Sequence, residues 1–152
     1  MIHNYLKLIS IVLLGCLPLS LRAQEGLEIE RLFEKYGKEK DVTYVELNGE
    51  ILDSYRMETY KSLVFRNVTP YATEIEACLE KEAQSAHVKK RQEVTRSDTL
   101  MSAYYQLADV RRRGKARKRY ILFKRGKEAL ATLVYIEGTL NEKELMEMLY
   151  KK

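Results

Sequence analysis

Tryptophan is absent from this 152-residue chain, and cysteine, histidine and proline occur only twice each. Each shortage narrows the chemistry. His3 and His87 are the only histidines, and no HExxH or CxxC pattern accompanies them, so a zinc site with three or four clustered ligands has no framework. A nucleophile–base–orienter set would have to pair His87 with a serine or with Cys78. Neither a Gly-x-Ser-x-Gly elbow nor a catalytic-cysteine signature is present. GxGxxG and P-loop patterns are missing too. No catalytic residue, cofactor or metal is therefore assigned, and the expectation is a protein that is not an enzyme. The many acids leave a hydrolase with a carboxylate pair as the less favoured alternative. His87 reads as a solvated residue near a helix end.

What is present begins with a leader. One lysine, Lys7, precedes an apolar stretch from Leu8 to Leu21, and the small residue Ala23 stands before Gln24. This three-part order is that of a secretory signal peptide cleaved between Ala23 and Gln24. A spanning helix needs ~20 predominantly apolar residues, and this stretch is shorter and interrupted by Gly15, Pro18 and two serines. Leu13-Leu14-Gly15-Cys16 also spells a bacterial lipobox, which makes lipidation at Cys16 the alternative. The division expected is a signal peptide over 1–23 and a single α+β domain over 24–152. Removing the leader lowers the net charge from +5 to +3, because Lys7 and Arg22 go and no acid does. It also leaves Cys78 without an intramolecular disulfide partner.

Within the domain, Ile29, Leu32, Phe33 and Tyr36 recur at helical spacing, with Gly37 as a stop. Asp41 to Leu47 alternates like a strand. Asn48-Gly49 followed by Glu50 to Tyr55 predicts a tight hairpin with both runs extended, and a third extended piece covers Met57 to Phe65. Thr69-Pro70 signals a helix start with Thr69 as the cap. The following stripe of Tyr71, Ile75, Cys78 and Leu79 makes Cys78 a small core hydrophobe. Residues 87–98 are polar without a clear period. Leu100 to Leu107, Tyr120 to Lys124 and Ala129 to Glu137 read as strands. Thr139-Leu140-Asn141-Glu142 has capping-box form, opening a helix with Leu145, Met148 and Leu149 inward. Strands joined by short turns imply a mainly antiparallel sheet of five or six strands, with three helices packed on one face.

The local anomaly is the run Arg111, Arg112, Arg113, Gly114, Lys115, Ala116, Arg117, Lys118, Arg119, seven of whose nine residues are cationic. No aromatic is interleaved to stack bases, and an exported chain does not meet nucleic acid as its first partner, so none is expected. Outside the cytoplasm such a loop suits an anionic lipid headgroup or an acidic polysaccharide. Its plain structural reading is a solvated turn whose charges discourage edge pairing.

Phe33-Glu34-Lys35-Tyr36 leading into Val42-Thr43-Tyr44-Val45, then Tyr104-Tyr105-Gln106-Leu107 and Leu133-Val134-Tyr135-Ile136-Glu137-Gly138-Thr139-Leu140, resemble small exported proteins of the Bacteroides group that form families of unknown function. The resemblance spans most of residues 27–150. It implies a periplasmic, surface or secreted location, and brings no established activity or functional residue with it. The function expected is a non-catalytic binding or interaction module of the cell envelope, its partner an envelope protein or ligand. Docking on anionic lipid or lipopolysaccharide through residues 111–119 is the alternative.

Overall fold

Ile29, Leu32, Phe33 and Tyr36 become the buried side of a short helix, α1 (Glu30–Tyr36), and Gly37 ends it. A Cβ at Gly37 would lie 2.6 Å from the Phe33 carbonyl oxygen, so a glycine is what lets the chain turn there. The computed structural model describes residues 26–151. The expected leader, with Cys16 and the Ala23–Gln24 junction, lies outside the described residues.

Strand β1 (Val42–Asn48) follows as expected, but its partner is not the next segment. Glu50–Tyr55 is a 3-10 turn, and the antiparallel partner is β2 (Met57–Phe65), in register from Val42 opposite Phe65 to Asn48 opposite Thr59. Gly49 does take positive φ, yet Asn48-Gly49 opens an eight-residue connection instead of a two-residue hairpin. Leu52 tucks into a core while Ile51 and Tyr55 stay exposed, a pattern that suits a helical turn and not a strand.

Helix α2 (Ala72–Ala83) is preceded by a 3-10 turn at Thr69–Tyr71. Thr69 does not cap it. The Thr69 amide instead donates to Asn67 Oδ1 at 3.1 Å. Ile75, Cys78 and Leu79 are buried as their spacing predicts. The polar stretch after α2 is β3 (Val88–Arg96), which the missing period had concealed. It pairs on one side only, so most of its side chains face solvent and no apolar alternation is required.

β4 (Thr99–Arg112), β5 (Lys115–Arg125) and β6 (Ala131–Gly138) complete an all-antiparallel sheet in the order β1-β2-β6-β5-β4-β3. The last helix, α3 (Glu142–Tyr150), has a capping box shifted two residues from the predicted one. Asn141 Oδ1 accepts the Glu144 amide at 2.9 Å, and Glu144 Oε2 accepts the Asn141 amide at 2.9 Å.

The fold is α+β, but the helices divide between the two faces of the sheet. α1 and α2 cover one face with Leu63, Phe65, Tyr105, Leu107, Ile121 and Leu133. α3 lies on the other, where Leu145 meets Tyr104, Tyr120 and Ile136. Consecutive residues of a strand point to opposite faces, so Tyr104-Tyr105 and Tyr135-Ile136 feed both cores at once. Of the α3 residues expected inward, Leu145 is buried and Met148 partly so, but Leu149 is exposed.

Candidate functional site

The seven cations of the basic run do not form a loop. β3 accompanies β4 only to the Val88–Leu107 pair, and β6 accompanies β5 only from the Lys118–Gly138 pair, so residues 108–117 run on as a two-stranded arm. Its tip is Arg113-Gly114, both at positive φ, as in the two-residue hairpin turns that match strand twist. The arm also carries internal partners. Arg112 Nε lies 2.9 Å from Glu137 Oε1, Arg117 pairs with Glu58, and Arg119, only 7% exposed, donates from Nε to the Ala108 carbonyl at 3.0 Å. Arg111 reaches the Gly114 carbonyl, which is no charge partner, while Arg113 and Lys115 are exposed beside the tip and Lys118 is half-buried. Two of the seven are thus in ion pairs and Arg119 is buried against a carbonyl, while Arg111, Arg113, Lys115 and Lys118 have neither an ion pair nor deep burial among the described residues.

At the root of the arm a cleft of about 530 Å³ gathers Asp53, Glu58, Arg112, Arg117 and Glu137. Burial pushes the Glu137 carboxyl up, but hydrogen bonds from Arg112 and Tyr135 outweigh it and hold the group below its ordinary value. Tyr135 Oη donates to it at 2.7 Å. Arg117 Nε is buried with no hydrogen-bond partner among the described residues. Charges of both signs meet here and largely satisfy one another, which is how an ion-pair network braces an arm.

A second concavity lies on the α3 face and was not anticipated. A groove of about 720 Å³ runs between the open half of the sheet and the C-terminal part of α3. Its floor includes Tyr104, Leu122 and Val134, and its wall Met146, Leu149 and Tyr150. Val94, Leu130, Leu149 and Tyr150, four of the seven large apolar side chains exposed among the described residues, line it. A signal for it does exist in the chain. β5 and β6 carry apolar residues on both faces, Ile121 and Leu133 on one and Leu122 and Val134 on the other, yet the nine-residue α3 spans only about 13 Å, against a six-stranded sheet roughly 24 Å wide. One short helix cannot cover that face.

The remaining candidates line neither concavity. Cys78 is fully buried; its Sγ donates to the Glu28 carbonyl at 3.2 Å, and burial pushes the thiol up, as befits an unreactive packing residue. His87 is half-buried at the entry to β3, where its carbonyl accepts the Ala108 amide. Glu82 is buried at the foot of α2 and accepts the Ile29 amide at 3.1 Å, so it caps the start of α1. Burial is the main influence on that carboxyl and raises it. No group of three or more His, Cys, Asp or Glu residues is placed to hold a metal ion among the described residues.

Fold and surfaces together define a two-faced antiparallel α+β domain with a basic arm and an apolar groove. The chain belongs to the family of unknown function DUF6108, whose model matches residues 16–149. No curated protein matches it. Among solved structures it is similar to a protein of unknown function from Pseudomonas aeruginosa, with 10% identity and a TM-score of 0.37 over 75% of this chain and 79% of that one. A likeness that distant carries no argument about function.

Proposed function

We propose that this chain is an exported, non-catalytic binding module of a Bacteroides-group cell envelope, and that it binds through the groove beside α3. One observation carries the reading: four large exposed apolar side chains converge on a single groove instead of scattering. Isolated exposed apolar residues are ordinary, whereas a contiguous patch marks an interaction site. A volume of about 720 Å³ falls within the range of small-molecule pockets, roughly 300–1,000 Å³. The leader pattern supports export, either as a free protein cut between Ala23 and Gln24 or as a lipoprotein held through Cys16.

A specific feature favours a second reading for the arm. It extends beyond the flanking strands with Arg111, Arg113, Lys115 and Lys118 left over from internal pairing, and a cluster of that kind is drawn to anionic lipid or lipopolysaccharide by screened electrostatics.

One binding series tests both. Titration with 1-anilinonaphthalene-8-sulfonate reports the groove, and co-sedimentation with vesicles containing phosphatidylglycerol reports the arm. Val94→Glu with Leu149→Glu, both at exposed positions, places charge in the groove and should weaken saturable dye binding by about tenfold. Changing Arg111, Arg113, Lys115 and Lys118 to Gln should abolish a vesicle binding that also fades with added salt. Dye affinity that ignores the groove substitutions sinks the first reading. Vesicle binding that survives the loss of four cations sinks the second.

A further inference from the structure

The lining of the groove also points to a ligand class, an inference that rests on the groove being the binding site. On the α3 side of the sheet the register lines up two cross-strand rows. Beside the helix stand Gln92, Tyr104, Leu122 and Val134, and in the next row out stand Val94, Ser102, Lys124 and Thr132. Directly opposed residues have Cβ atoms about 4.5–5.5 Å apart. Lys124 is therefore flanked by the Ser102 hydroxyl on β4 and the Thr132 hydroxyl on β6, all three on the groove floor.

Charge then selects the ligand. The two charged residues of the lining are Glu93 and Lys124. Glu93 projects to the α2 side, opposite Ala103 in the register, where Arg91 lies 2.9 Å from it and Tyr105 donates to it. Its charge is answered there. Lys124 enters no ion pair among the described residues. The groove thus offers an apolar trough with one uncompensated cation between two hydroxyl donors at its outer edge.

We infer that the groove takes an amphiphile carrying a single carboxylate, its apolar body laid along Leu122, Val134 and the inner side of α3 and its head on Lys124 between Ser102 and Thr132. One ammonium and two hydroxyls supply the donors that the two carboxylate oxygens accept, and a charge-assisted hydrogen bond is about twice as strong as a neutral one. A neutral amphiphile would leave Lys124 unused. A phosphate-type dianion would find half the charge it needs.

The test is displacement of the anilinonaphthalene dye from the processed protein by tetradecanoate and by its methyl ester, kept below their aggregation concentrations. In the unaltered protein the acid should bind about tenfold tighter than the ester, and each methylene removed from the acid should weaken it about fourfold while the chain still lies in the groove. Lys124→Gln, at an exposed position, should erase the preference for the acid and leave the ester's affinity unchanged, which also shows that the variant is folded. Equal affinity of acid and ester in the unaltered protein overturns the carboxylate assignment while the groove stands as an apolar site. A preference that survives Lys124→Gln overturns it in the same way. Failure of both compounds to displace a dye that itself binds saturably also overturns it, and absence of saturable dye binding overturns the groove reading beneath it.

Discussion

A Cβ placed on Gly138 would meet the Arg56 carbonyl oxygen at 2.3 Å and Met57 Cα at 2.7 Å, backbone atoms that cannot swing aside. The same carbonyl accepts the Thr139 and Leu140 amides at 2.9 and 3.2 Å, and Arg56 adopts a left-handed conformation to present it. One residue without a side chain thus lets the start of β2 and the end of β6 close on each other just before α3 begins. Gly138→Ala is expected to destabilise the fold by about 1–3 kcal/mol, the usual cost of overpacking. A lowered denaturation midpoint with an unchanged denaturant slope checks this, and an unchanged midpoint refutes it. Gly138 directly follows the expected strand Ala129 to Glu137 and is the last residue of β6. The contact that demands it joins distant points of the chain and leaves no local trace.

At the scale of elements, sequence patterns served best where one face of an element alone is buried. α1 and α2 were legible because Ile29, Leu32, Phe33 and Tyr36, then Ile75, Cys78 and Leu79, repeat every three or four residues against a single core. Glu50–Tyr55 departs from the expected strand because Asn48-Gly49 is a strong local hairpin signal, and the burial of Leu52 between exposed neighbours is a tertiary outcome. β3 is hidden in the sequence because an edge strand has little to bury. α3 starts two residues later than expected, since Thr139 and Asn141 both precede an acid three residues on. Asn141 prevails because Thr139 is engaged with the Arg56 carbonyl, leaving Asn141 at the first free turn. Asn141→Ala should cost about 1 kcal/mol as a lost N-cap. Because α3 walls the groove, the same change should accelerate amide exchange in residues 142–150 ahead of the strands. Uniform exchange across α3 and β6 would contradict that order.

Across the whole molecule, carboxylates tie the helices and strands of the α1–α2 face together. Glu74 accepts from Lys35 and Tyr36, and those bonds hold it below the ordinary value of 4.5. For Glu93 burial pushes upward, but Arg91 and Tyr105 prevail and the group is lowered; Glu137 behaves likewise under Arg112 and Tyr135. A carboxyl lowered in the folded state contributes stability above its unfolded value and loses it as pH falls through the folded one. Glu82 has the opposite sign. Burial raises it, so it costs stability at neutral pH, and that cost is relieved as pH falls toward 4.5. Glu46, lowered chiefly by the hydrogen bond from Tyr44, joins the first group. Four lowered groups against one raised group predict a denaturation midpoint nearly level from neutrality to about pH 5 that drops below about pH 4. Glu82→Gln should remove any gain in stability on mild acidification and leave the acid drop in place. A midpoint that rises steadily into acid would show that these pairs contribute nothing.

The sequence by itself determined the α+β class, the amphipathic helices, the burial of Cys78 and the two-sided apolar character of β5 and β6, because each follows from local periodicity. It also determined that seven cations stand together, but not that Glu58, Glu137 and the Ala108 carbonyl would engage three of them, since those partners come from other points of the chain. Only tertiary structure decided which strand joins which, and that among the described residues α3 is the one α-helix on its face, with only the short turn carrying Leu52 beside it. The groove, with Lys124 between two hydroxyls, follows from that mismatch: a period of two tells which residues share a face, and packing alone tells whether anything covers it.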